Sequence, residues 1–168
     1  MQETPQQYTQ RILGYLEGKD LMEVLAATPR QISRIIKGVS RRKLAVRTIP
    51  DKWSVTEILA HLADSEMVYG YRIRIILEAE NPPIQATNQD KWAAFSDYAA
   101  QDPFLALQSL TVDRQRLLSL LKQLPPASWE LYGVHSERGN ETVRRVAEML
   151  AGHDLNHLAQ IRERLPKK

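Results

Sequence analysis

Apolar residues recur along this chain at three- and four-residue intervals, the period that keeps one face of an α-helix toward a core, and no alternating run is strong enough to suggest a sheet. Four long helical patterns follow. The first, residues 5 to 38, reads as a helix from Gln6 to Glu17, a break at Gly18, Lys19 and Asp20, and a second stretch. In that stretch Thr28 and Pro29 read as N-cap and first-turn residue, with Gly38 as the stop. A basic connector from Val39 to Trp53 follows, and Pro50 keeps a helix from passing through it. Ser54 with Glu57 three residues on is a capping box, which starts the second helix at Val55. Its stripe is Val55, Ile58, Leu59, Leu62, Tyr69, Ile73 and Ile76, and Asn81, Pro82 and Pro83 stop it after about Glu80.

Residues 82 to 101 form a long connection with one short helix around Asp90 to Tyr98. Asp102 and Pro103 then open a third helix, whose stripe Phe104, Leu107, Leu110, Leu117, Leu118 and Leu121 runs to about Leu124 before Pro125 and Pro126. An irregular stretch with Trp129, Tyr132, Gly133 and Gly139 leads to the last helix, about Thr142 to Leu165, ahead of Pro166. Four such helices bury their stripes most simply against one another, so the fold class is an all-α four-helix bundle. The connection after helix two is long enough to traverse the bundle, which lets helix three run parallel to helix two. Spacing alone does not decide this.

Composition narrows the function classes. The 168 residues suit one domain spanning 1–168. With 43% hydrophobic and 26% charged residues the chain is neither disordered nor fibrous, and charges interrupt every apolar run before it reaches membrane-spanning length. Met1 to Pro5 lack a basic segment followed by an apolar one, so the expectation is a cytoplasmic protein with no membrane partner. A net charge of +3 is too small to argue for a polyanion, and no nucleic acid is expected. The one basic cluster, Arg30, Arg34, Lys37, Arg41, Arg42, Lys43 and Arg47, reads as a solvated face or a docking site for anions. The absence of cysteine excludes disulfides, thiolate metal ligands and a thiol nucleophile from the protein, so any thiol chemistry needs an external thiol.

The chemistry concentrates in histidine. On the last helix the stripe reads Val143, Val146, Leu150, His153, His157, Ile161, so two imidazoles one turn apart stand where leucine is expected. His61 lies at the edge of the second helix's stripe. Three neutral imidazoles from two helices facing one interior suit a divalent cation with an open coordination position, and His61, His153 and His157 are the candidate metal ligands.

Two segments carry a family resemblance. Residues 52 to 64, with Trp53, Ser54, Glu57 and His61, and residues 139 to 161, with Asn140, Thr142, His153 and His157, resemble the two signature regions of the DinB/YfiT-like superfamily. The resemblance spans nearly the whole chain in element order and spacing. It implies an up-down-down-up four-helix bundle, often a homodimer, with nickel or zinc held by His61, His153 and His157. It also implies a small-molecule substrate. The superfamily contains thiol S-transferases and isomerases that use low-molecular-weight thiols, together with proteins described as metal-dependent hydrolases.

The expected function is therefore metal-dependent activation of water or of an external low-molecular-weight thiol, by a hydrolase or a thiol S-transferase. The alternative is a non-catalytic dimer that keeps the ion as a structural clasp or ligand sensor. Asp64, one turn beyond His61, and Asp154, beside His153, are candidates to orient an imidazole N–H, as are Asn156 and Gln160. Asp64 and His135 are the candidate catalytic residues, His135 as a loop residue at the pocket mouth that shuttles protons or contacts substrate. Trp53, Trp92 and Trp129 are candidate pocket walls or helix staples.

Overall fold

The Ser54 capping box fixes the start of the longest helix. Ser54 N donates to Glu57 Oε2 (2.8 Å) and Glu57 N donates back to Ser54 Oγ (3.3 Å). In this computed structural model, which describes residues 3–165, that helix is α4, Val55–Glu78. Before it come α1 (Pro5–Gly14), α2 (Leu21–Ile36) and a single turn α3 (Arg41–Leu44). After it come a strand β1 (Pro83–Ile84), α5 (Gln89–Phe95) and α6 (Pro103–Gln123). A hairpin of β2 (Tyr132–His135) and β3 (Gly139–Thr142) leads into α7 (Val143–Arg164). Pro166 lies outside the described residues.

Two hydrophobic clusters give the helix directions. One joins Leu25 of α2, Tyr69 to Ile76 of α4, Leu117 and Leu121 of α6 and Val143 to Ala151 of α7. The other joins Ile32 and Ile36 of α2, Val55 to Leu62 of α4, Ala106 and Leu110 of α6 and Leu158 and Ile161 of α7. α2 and α7 therefore run from the first cluster to the second, and α4 and α6 run back. That is the up-down-down-up order, and the connection between α4 and α6 does traverse the bundle. Among the described residues no helix is long and apolar enough to cross a membrane.

Three sequence expectations change. The second stretch of the first region starts at Leu21 with Asp20 as N-cap, and Thr28 and Pro29 lie inside α2. Thr28 Oγ1 donates to Val24 O (3.0 Å), an ordinary helix-interior bond rather than a cap. Pro29 has no N–H for Leu25 O, four residues back, and Arg114 Nη1 supplies the missing donor at 2.8 Å. α1 also stops at Gly14, and residues 15 to 18 tighten into three-residue turns. Phe104, assigned to the stripe of helix three, is exposed, with the Arg41 guanidinium over its ring.

A small sheet also appears that periodicity did not suggest. β1 pairs parallel with β2 (Pro83 opposite Val134), and β2 pairs antiparallel with β3 (Tyr132 opposite Thr142). It ties the two long connections together at one end of the bundle. Strands of two and four residues containing Pro83, Gly133 and Gly139 are too short and too poor in β-branched residues to show a two-residue period. Gly133 is required there, because a Cβ would lie 2.8 Å from Ile84 Cδ1 and 2.9 Å from Pro82 O. Gly152 does the same for helix packing, since its Cβ would meet Ile12 O at 2.1 Å and push α1 off α7.

Candidate metal centre

His61 comes from the second turn of α4, and His153 and His157 from successive turns of α7. The antiparallel packing of these helices brings the three rings together, with centroids 4.4 to 5.0 Å apart. The Nε2 atoms converge. His61 Nε2 lies 2.9 Å from His153 Nε2, and His157 Nε2 lies 3.1 Å from it. Separations of this size are what two nitrogens have when both sit ~2.0 to 2.1 Å from one ion at near right angles, so the trio fits a single cation. Among the described residues no fourth histidine, aspartate or glutamate joins the cluster.

All three rings are buried, and burial holds them neutral. It lowers the His61 pKa to about 3, helped by the nearby His157, and the His157 pKa to about 4. His153 is pushed well below the ordinary imidazole value by burial and by its two histidine neighbours. At neutral pH the centre therefore presents lone pairs rather than charge. Gln160 Oε1 accepts from His157 Nδ1 at 2.9 Å, which puts the His157 proton on Nδ1 and leaves Nε2 free to ligate. Trp53 packs on the His61 ring with centroids 4.9 Å apart.

The centre floors a cleft of about 300 Å³ whose wall includes His61, His153, Asp64, Ser65, Tyr69, Arg72, Trp92, Tyr98 and Arg138. Asp64 is in that wall, but its Oδ2 accepts from the Tyr98 hydroxyl rather than from an imidazole. Asp154 is fully buried and accepts from Arg114, and Asn156 Oδ1 accepts from Arg11 at 3.3 Å. Of the four residues proposed to orient an imidazole, Gln160 is the one that does so.

His135 requires a correction. It is a buried residue of β2, absent from the cleft wall, and its Nδ1 accepts from the Glu137 amide at 3.1 Å. The hairpin that the sequence presents as a loop turns this side chain inward. The basic cluster also divides, because Arg47 is held by Glu57 and Arg41 by Asp102 (2.7 Å). Trp92 lines the cleft, whereas Trp129 packs on the core edge beneath Arg144.

Sequence reasoning missed the cleft arginines, Arg72 and Arg138, and the ion cluster behind the histidines. That cluster joins Arg114 to Glu66 (Nε to Oε1, 3.0 Å) and to Asp154 (Nη1 to Oδ2, 2.6 Å). A signal existed. Arg114 stands between Leu110 and Leu117, Glu66 between Leu62 and Tyr69, and Asp154 between Leu150 and Leu158, each in a stripe position at mid-helix.

Three converging imidazoles at the base of a cleft in a four-helix bundle define a class of metal-site proteins. The DinB superfamily model matches residues 25–161, and the chain belongs to the DinB superfamily. A relative from Oceanobacillus iheyensis, named "Putative metal-dependent hydrolase", is 28% identical over 133 residues, which is 79% of this chain and 77% of that one. One from Bacillus mycoides with the same designation is 29% identical over 140 residues, 82% of this chain and 80% of the relative. Among solved structures, YfiT from Bacillus subtilis matches with a TM-score of 0.80 at 23% identity, covering 86% of this chain and 83% of that chain. It is described as a probable metal-dependent hydrolase with an unusual four-helix bundle topology, and the likeness concerns the fold.

Proposed function

We propose that this chain is a metal-dependent hydrolase with one divalent cation held by His61, His153 and His157. The observation that carries the reading is the convergence of three Nε2 atoms, 2.9 and 3.1 Å apart, with no fourth histidine, aspartate or glutamate among the described residues to close the coordination shell. The designations of the relatives agree with it. Three neutral imidazoles suit both zinc and nickel. When bound, the cation supplies Lewis acidity that draws the pKa of water, or of a small external thiol, toward neutrality.

The chain's own residues do the rest. Gln160 fixes the His157 tautomer, and Trp53 seats the His61 ring. Asp64, which lines the cleft and whose Oδ2 accepts from the Tyr98 hydroxyl, is the acceptor for the proton that hydrolysis releases. Burial and the hydrogen bond to Asp64 push the Tyr98 pKa up, which keeps the phenol a donor. The cleft walls restrict access to small molecules.

The test compares chelated and zinc- or nickel-restored protein on a panel of small esters and amides, with and without glutathione. Turnover that returns with metal and needs no thiol is the expected result. An absolute thiol requirement would replace hydrolysis by S-transfer, and identical rates with and without metal would overturn both.

A further inference from the structure

Arg72 is a buried guanidinium with no ion-pair partner among the described residues. It projects from α4 one turn beyond Tyr69, is 5% exposed and lines the same cleft as His61 and His153. Its Nη2 donates to Gln85 O (2.8 Å), and its carbon lies 5.6 Å from the centre of the Tyr69 ring. Nε and Nη1 have no acceptor among the described residues, and no carboxylate there forms an ion pair with it.

The acidic groups nearby are committed elsewhere. Glu141 is gripped at both oxygens by Arg138 (2.7 and 2.9 Å), Glu3 by Arg11 (2.8 and 2.9 Å), and Asp64 by Tyr98. Glu137 shares the cleft wall but is exposed and makes no ion pair with Arg72. Burial works against the Arg72 charge and Arg138 adds to that burden, while Glu141, although paired with Arg138, offsets part of it. The unpartnered N–H groups of Arg72 are not sealed in the core but belong to a cleft wall, where a largely buried cation gains from an anion that arrives to pair with it. The planar fork of arginine suits two oxygens of one carboxylate or phosphate.

We infer that Arg72 is the anion-binding residue of this cleft and that the substrate carries a carboxylate or phosphate group, which Arg72 holds while the reacting bond lies over the histidines. This rests on the hydrolase reading for the reaction, but the anion site stands on its own geometry.

Metal-free protein is titrated with inorganic phosphate and, separately, with benzoate, by calorimetry and by the NMR signal of the Arg72 Nε–H. One saturable anion per chain and a shifted Arg72 signal are expected, and whichever anion binds more tightly names the source. Arg72→Gln should weaken binding at least tenfold with the metal content unchanged. Arg72→Lys, which keeps the charge and loses the fork, should fall between. Undiminished binding in R72Q, or an Arg72 signal in the unaltered protein that neither anion moves, overturns the inference. The second criterion holds even if the variants fail to fold. Metal without anion binding would sink this inference alone, and anion binding without metal would sink the hydrolase reading alone.

Discussion

His153 and Asp154 are neighbours on α7 and equally withdrawn from water, yet they belong to opposite kinds of polar cluster. Asp154 faces Arg114, which also grips Glu66 and reaches Leu25 O, so one guanidinium joins α2, α4, α6 and α7. Its five N–H groups find acceptors within the core. His153 faces two other imidazoles whose lone pairs aim at the same point, and its Nδ1 has no partner among the described residues. One cluster is charged and closed on itself. The other is neutral and left open. Burial alone marks neither as functional; the difference lies in whether the donors and acceptors are used up inside the chain.

Breaking the closed cluster should have the larger effect on folding. Replacing Arg114 by leucine strands Glu66 and Asp154 as like charges in the core and returns Leu25 O to an unpaired state beside Pro29. A loss of about 3–5 kcal/mol is expected from urea unfolding. The same measurement on R114M/E66L/D154L sharpens the contrast. Removing all three charges together should recover part of that loss, because no charge is then left unpaired, while Leu25 O still lacks its donor.

Breaking support for the open cluster should barely touch folding and should act on metal instead. Gln160→Ala frees the His157 tautomer, and metal affinity is expected to fall about 10-fold or somewhat more. Zinc competition against a chromophoric chelator reads the affinity, and the metal-free melting temperature should stay within a few degrees of the unaltered protein's. A large drop in metal-free stability with unchanged affinity would show Gln160 to be a packing residue.

Much of this contrast was legible in the chain and part was not. The α4 start, the three-histidine set and the bundle could be read because each rests on local spacing: Ser54 to Glu57, His153 to His157, and the helical stripes. Helix direction came from the family resemblance and not from local spacing, and its physical basis is the pair of hydrophobic clusters that match the ends of α4 and α6. Pro29 misled for a related reason. A proline breaks a helix unless some distant donor takes over the freed carbonyl, and Arg114 lies 89 residues away. The gaps at 66, 114 and 154 lay in plain view as interruptions of apolar stripes, but three charges on three helices become one cluster only in three dimensions. His135 shows the converse, since a loop-like sequence folded into a strand and carried a polar side chain inward.

The most direct test is the metal content of protein purified without an affinity tag, measured by elemental analysis beside His153→Ala. About one divalent ion per folded chain is expected in the unaltered protein, and under a tenth of that in the variant. An undiminished ion in a folded H153A chain would contradict the account, because the nitrogen central to both short contacts would then have no part in holding it.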